Sequence, residues 1–237
     1  MNPRDFAYLI ADISSLSVVL PLLVYLVKIK KVSRPIHIIG ALLIVAAMAD
    51  LVGYLLFKAH QSTAMVFNTY YTLMFFLLCW FYYETLFKDR NKGAIVIGLG
   101  VYIISFIIIT FFIQNFFFFQ NLIWTITGII LIVYSIAYFV SSLSDIPSTH
   151  LFGNTLTWIN TGVLFYFSFS VVIFSMGDYL FSKEDPHATL LIWSTHNVNN
   201  ILKNVLFAIG FALYQQRKPV FPMLEQLKIR TKTAQNA

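Results

Sequence analysis

Charge is what this chain has least of. Only 11% of its residues are Asp, Glu, Lys or Arg, where an ordinary soluble domain carries about 25%. A surface that poor in charge does not suit a water-soluble globular fold. Cysteine is equally scarce: Cys79 stands alone inside an apolar segment, so an intramolecular disulfide is excluded and packing is its expected role. His60 and His187 fall on the same side but show no metal-ligand spacing, and no metal or other cofactor is expected. The opening MNPRDF has no basic lead-in, and the first apolar run continues to KIKK without a small-residue cleavage site. The first helix is therefore expected to stay in the protein.

What is present is apolar and aromatic. Hydrophobic residues make up 59% of the 237, with 24 Phe and 13 Tyr. They fall in runs of about 20 residues, the length needed to cross a hydrocarbon core as a helix. The expected fold is an all-α membrane protein, a seven-transmembrane-helix bundle with spans near 6–27, 36–57, 64–84, 93–113, 121–140, 155–177 and 190–214. Residues 215–237 form a basic tail, either solvated or folded as a short interfacial helix from Pro222. QNFFFFQ between the fourth and fifth spans leaves room only for a tight turn whose phenylalanines dip into the interface.

The net charge of +6 does not point to nucleic acid, because the basic residues flank the apolar runs. They read as topology signals and contacts to anionic headgroups. Lys28, Lys30, Lys31 and Arg34 lie in the first loop, Lys88, Arg90 and Lys92 in the third, and Arg217, Lys218, Lys228, Arg230 and Lys232 in the tail. Arg4, Lys58 and Lys183 fall on the other side. The positive-inside rule then puts the amino terminus outside and the carboxyl terminus in the cytoplasm. The expected location is the cell membrane, the inner one in a Gram-negative cell, with the lipid bilayer as principal partner.

One span breaks the apolar pattern. STHNVNNILKNVLF concentrates His196, Asn197, Asn199, Asn200, Lys203 and Asn204 in what otherwise reads as the last span. A lysine at mid-membrane costs roughly 2.5–3.5 kcal/mol on insertion scales, so it must face protein or water and find a partner. Helical periodicity puts His196, Asn199, Asn200 and Lys203 on one stripe, with Asn197 and Asn204 on an adjoining face. Such a stripe points into the bundle, because amides facing lipid would go unpaired. The asparagines can equally be interhelical glue.

Anions for Lys203 are few. Asp50 on the second span and Asp12 on the first both lie within vertical reach of a lysine that can snorkel. Asp50 is the preferred partner, since Asp12 is near enough to the outer interface to hydrate itself. Asn68, Tyr70 and Tyr71 on the third span, and Asn160, Tyr166, Ser168 and Ser170 on the sixth, complete a polar set that could line a pocket open to the outer leaflet. Glu84 reads as a cytoplasmic-interface residue near Lys88, and Asp178 and SKEDPH as solvated outer loop.

Three resemblances bear on function. A lysine mid-way along a seventh helix resembles the layout of retinal-binding rhodopsins. However, Asn199 stands where the microbial members carry an aspartate, and helix three has only Glu84, near its end. SRPIHIIG with Asp50 is similar to lysoplasmalogenase-type membrane hydrolases, which implies an acid–base lipid chemistry on eight helices. NTYYTLMFFLLCWFYYETL, TWINTGVLFYFSFSVVIF and HNVNNILKNVLFAIGF resemble a group of uncharacterised, mainly Bacteroidota, seven-helix integral membrane proteins. That last resemblance implies the architecture and brings no established activity.

The leading expectation is a non-enzymatic sensor or regulator whose polar core takes a small or lipidic ligand and which acts on a separate cytoplasmic partner. A proton-linked transporter is the alternative, and a membrane-embedded lipid hydrolase a further one.

Overall fold

A computed structural model describes residues 2–86, 92–145, 153–176 and 186–214. The basic tail, the third loop with Lys88 and Arg90, most of the loop around Pro147, and Asp178 with residues 182–185 of SKEDPH lie outside the described residues. Every regular element among the described residues is helical: α1 (Pro3–Ser17), α2 (Val19–Lys28), α3 (Arg34–Lys58), α4 (Ala64–Thr85), α5 (Lys92–Ile108), α6 (Asn121–Asp145), α7 (Thr155–Ser175) and α8 (Pro186–Leu213). Short 3₁₀ and π turns extend α2 and α5, over Ile29–Lys31 and Ile109–Ile113.

Six helices are long and apolar enough to cross a membrane, with α1 and α2 counting as one run from Arg4 to Lys31. Their outward faces are apolar, as in Val27, Phe112 and Ile97. An apolar exterior of that extent suits a lipid surround, which makes a multi-pass membrane protein the fitting reading. α8 has 28 residues, ample length, but is not among the six. The same polar residues that mark it out lower its hydropathy.

The break at Val18 has a sequence cause. Pro21 has no N–H to donate to the carbonyl four residues back, at Ser17, so α1 cannot run unbroken into α2. The turn between α3 and α4 closes with His60 in the left-handed region at φ 55°. Its N–H donates to the Phe57 carbonyl, and that of Gln61 to the Leu56 carbonyl. This is a Schellman cap made without glycine.

α8 packs extensively on α7 and also on α1 and α2, while α6 bridges α7 to α4. α5 sits outside that ring, against α4 and α6, which touch each other directly. The close crossing of α7 and α8 depends on Gly162. A side chain there would meet the Phe207 ring at 2.9 Å and the Lys203 carbonyl oxygen at 3.3 Å. Small residues let membrane helices approach in this way, and here the approach sets the position of Lys203.

Candidate functional site

A cavity of about 420 Å³ opens among α1, α3, α4, α6, α7 and α8, at the end of the bundle that holds the amino terminus. Lys203 lines it, although only 8% of the residue's surface is exposed. Its Nζ lies 4.5 Å from the centre of the Tyr166 ring, a cation–π contact. Among the described residues Lys203 makes no hydrogen bond and no ion pair within 4.0 Å.

Asp50, half-buried on α3, lines the same cavity and interacts electrostatically with Lys203 across it. It too has no hydrogen bond or direct ion pair among the described residues. A buried cation and a carboxylate thus face one space without closing on each other. An ammonium group offers three donors and a carboxylate about four acceptor sites, so both retain full hydrogen-bonding capacity toward the cavity.

The wall around them is aromatic and held in place by its own contacts. The Tyr71 and Tyr166 hydroxyls hydrogen-bond each other at 2.7 Å. Tyr71 stacks on Trp124 with ring centres 4.4 Å apart. His196 lies against Tyr166 and Phe174, and its Nδ1 meets the Ser170 hydroxyl at 3.5 Å. Ser170 is fully buried and does not line the cavity, so this contact orients the ring and presents no nucleophile.

On the far wall α8 is clasped to α1. Asn200 Nδ2 donates to Ser14 Oγ at 2.9 Å, and Asn204 Nδ2 to Ser17 Oγ at 2.7 Å. The Ser17 hydroxyl donates in turn to the Ser14 carbonyl at 2.6 Å. Trp124 and Asn204 also line the cavity, but Trp124 Nε1 and Asn204 Oδ1 are themselves buried in the packing and have no hydrogen-bond partner among the described residues.

The polar residues that the sequence grouped together are sorted by the structure into two sets. Lys203, Asp50, His196, Asn200 and Tyr71 line the cavity. Asp12, Asn68, Asn160 and Asn199 do not. Asp12 is exposed, because the cavity-facing stripe of α1 runs through Ala11, Ser14, Ser15 and Val18, and at 3.6 residues per turn Asp12 falls off it.

Asn68 is a loop anchor. Its Nδ2 donates to the carbonyls of Phe116 and Phe118, both at 2.7 Å, and its Oδ1 accepts from the Gln120 N–H at 3.3 Å. This pins the phenylalanine turn against α4. Asn160 is completely buried at a three-helix junction, where Oδ1 accepts from Tyr82 at 2.7 Å and Ser135 at 2.9 Å and Nδ2 donates to the Ser135 carbonyl. Asn199 donates to the Tyr166 carbonyl at 2.8 Å and leaves its Oδ1 buried without a partner among the described residues. Ser168 is exposed on the outer face of α7.

Glu84 pairs with Arg34 at 3.2 Å, and Arg34 also lies over the Trp80 ring at 5.4 Å. Its described partners are therefore Arg34, at the start of α3, and Trp80, whose Nε1 donates to Glu84 Oε1 at 3.2 Å. Among the described residues no group of three or more His, Cys, Asp or Glu could hold a metal ion.

Sequence reasoning missed Trp124, Ser14 and Ser17. The serines had a readable signal, since their three-residue spacing in α1 complements Asn200 and Asn204 in α8. Trp124 had none, because an aromatic at the start of a span looks like any interfacial anchor.

No known protein family, no curated protein and no solved structure matches this chain.

Proposed function

We propose that this chain is a seven-helix integral membrane protein, amino terminus outside and carboxyl terminus in the cytoplasm, that senses a small or lipidic ligand held in its intramembrane cavity. In this reading α8 is the seventh span, its polar face turned inward. The observation that carries the proposal is Lys203: nine-tenths buried, facing the cavity, and bonded to nothing but an aromatic face among the described residues. Buried cations are kept where they pair or serve a ligand or ion path.

The volume supports a binding role, at the lower end of the roughly 300–1,000 Å³ of ligand pockets. It suits one small molecule, or a headgroup with the start of its chain. The clasp of α8 on α1 lines the same space, so occupancy would bear directly on how those helices pack. A separate cytoplasmic partner would read that packing at the basic first loop. The cell membrane, with anionic headgroups at that loop, is the proposed location, and the Bacteroidota-type seven-helix proteins the proposed kin.

Native mass spectrometry of the purified protein beside Lys203→Met tests the reading. A small molecule retained by the wild type and lost from the variant is the expected result. A wild-type cavity that stays empty from every membrane extract, with Lys203→Met unchanged in partner signalling, would overturn it.

A proton-linked carrier is the second reading, favoured by Lys203, Asp50 and His196 sharing one cavity. Proteoliposome uptake driven by a pH gradient is its signature, and uptake indifferent to that gradient removes it.

A further inference from the structure

We infer that the ligand of this cavity is a zwitterion, its anionic end on Lys203 and its ammonium end toward Asp50. The inference rests on the ligand-binding reading above and names the chemistry the site selects.

Both signs of charge line one space, and among the described residues neither has a hydrogen bond or a direct ion pair. An anion alone would satisfy Lys203 and be repelled by the Asp50 carboxylate. A cation alone would satisfy Asp50 and be repelled by Lys203. A neutral apolar occupant would displace water from both and leave two charges unpaired, the costliest arrangement in a low-dielectric interior. A molecule bearing both charges leaves neither in deficit.

The remaining wall, including Tyr70, Tyr71 and Tyr166, is aromatic and suits an apolar body between the two charges.

This chemistry has two sources, a free zwitterionic solute or the headgroup of a zwitterionic lipid. The cavity volume of about 420 Å³ admits either.

Titrations of the purified full chain in phosphatidylglycerol nanodiscs, followed by tryptophan fluorescence, test the inference. Two of the 4 tryptophans, Trp124 and Trp193, line the cavity. The probes are γ-aminobutyrate and ε-aminocaproate, with caproate and hexylamine as single-charge counterparts. At least one zwitterion is expected to bind roughly 10- to 100-fold more tightly than caproate or hexylamine, the difference one charge-assisted hydrogen bond makes.

Asp50→Asn should weaken the zwitterion by a similar factor and improve caproate. Lys203→Met should weaken it and improve hexylamine, while Lys203→Arg should keep caproate binding and serves if the methionine variant fails to fold. Size-exclusion profiles check the fold of each variant. A second titration, with phosphatidylethanolamine added to the nanodiscs, separates the sources. Loss of the solute signal by competition assigns the lipid headgroup, and an unchanged signal assigns the solute.

Single-charge probes that bind as tightly as the zwitterions, or an Asp50→Asn variant without the crossover, would overturn the inference. So would the absence of any titration. A single-charge or apolar molecule found by mass spectrometry in wild type and lost in Lys203→Met would retain the cavity as a ligand site and end only the zwitterion assignment.

Discussion

The Lys203 ammonium group sits 4.5 Å above the Tyr166 ring, and the Tyr166 hydroxyl is tied to that of Tyr71 at 2.7 Å. A cation on α8 is thus supported by a ring on α7 that is itself positioned from α4. The tyrosine pair is the platform on which the cavity is built, and it can be tested apart from any ligand.

Tyr71→Phe removes one hydroxyl of a buried pair and leaves the Tyr166 hydroxyl with Ser170 as its remaining side-chain partner. A stability loss of about 1 kcal/mol is expected, within the range for a single membrane hydrogen bond. Ligand retention should fall as well, because the Tyr166 ring loses its tether. Unfolding in a mixed detergent series, beside native mass spectrometry of the same preparation, measures both. A variant that loses stability while holding ligand as before would detach the pair from the site.

Asn160→Ala addresses the structural junction. It removes the acceptor shared by Tyr82 and Ser135 and the bond to the Ser135 carbonyl, all fully buried. With membrane hydrogen bonds averaging roughly 0.6 kcal/mol, and more where a partner stays orphaned, a loss of about 2 kcal/mol is expected. The cavity is elsewhere, so any ligand binding that survives should have unchanged affinity. Thermal unfolding and a binding isotherm together check this.

Gly162→Leu should damage the α7–α8 crossing. Its side chain would collide with the Phe207 ring and the Lys203 carbonyl. Overpacking of a tight contact costs about 1–3 kcal/mol, and the displaced backbone would carry Lys203 out of register with Tyr166. Crosslinking of cysteine pairs placed across the crossing would report the separation.

The proposed orientation can be read with thiol labels. Cys79 is buried, which leaves a quiet background for single cysteines. Lys31→Cys in the first loop should label only from the cytoplasmic side, and Ser62→Cys between α3 and α4 only from outside. The opposite pattern would reverse the topology.

Arg34 and Glu84 offer a contrast. The arginine side chain is 68% exposed, so the 3.2 Å pair is solvent-screened. Glu84→Gln is expected to cost less than about 1 kcal/mol, with a change in denaturation midpoint near the error of measurement.

The amino-acid sequence by itself determined the helical class and the extents of several helices. Runs of apolar residues near 20 long leave a chain in lipid little choice but to satisfy its backbone within each helix, and α3 at Arg34–Lys58 and α4 at Ala64–Thr85 follow the expected 36–57 and 64–84 closely. The break at Val18 was not part of the expected single span at 6–27, although Pro21 explains it, whereas the polarity of the last helix was plain from its residues.

What the tertiary structure decided is which polar groups meet. Asn160 and Asn204 look alike in sequence; one closes a dry junction and the other borders a cavity. Lys203 and Asp50 are 153 positions apart, and their facing one another depends on how α3, α7 and α8 rotate and cross. Helical periodicity states which residues share a face, but the direction of that face comes from contacts between helices, such as Gly162 against the Lys203 carbonyl.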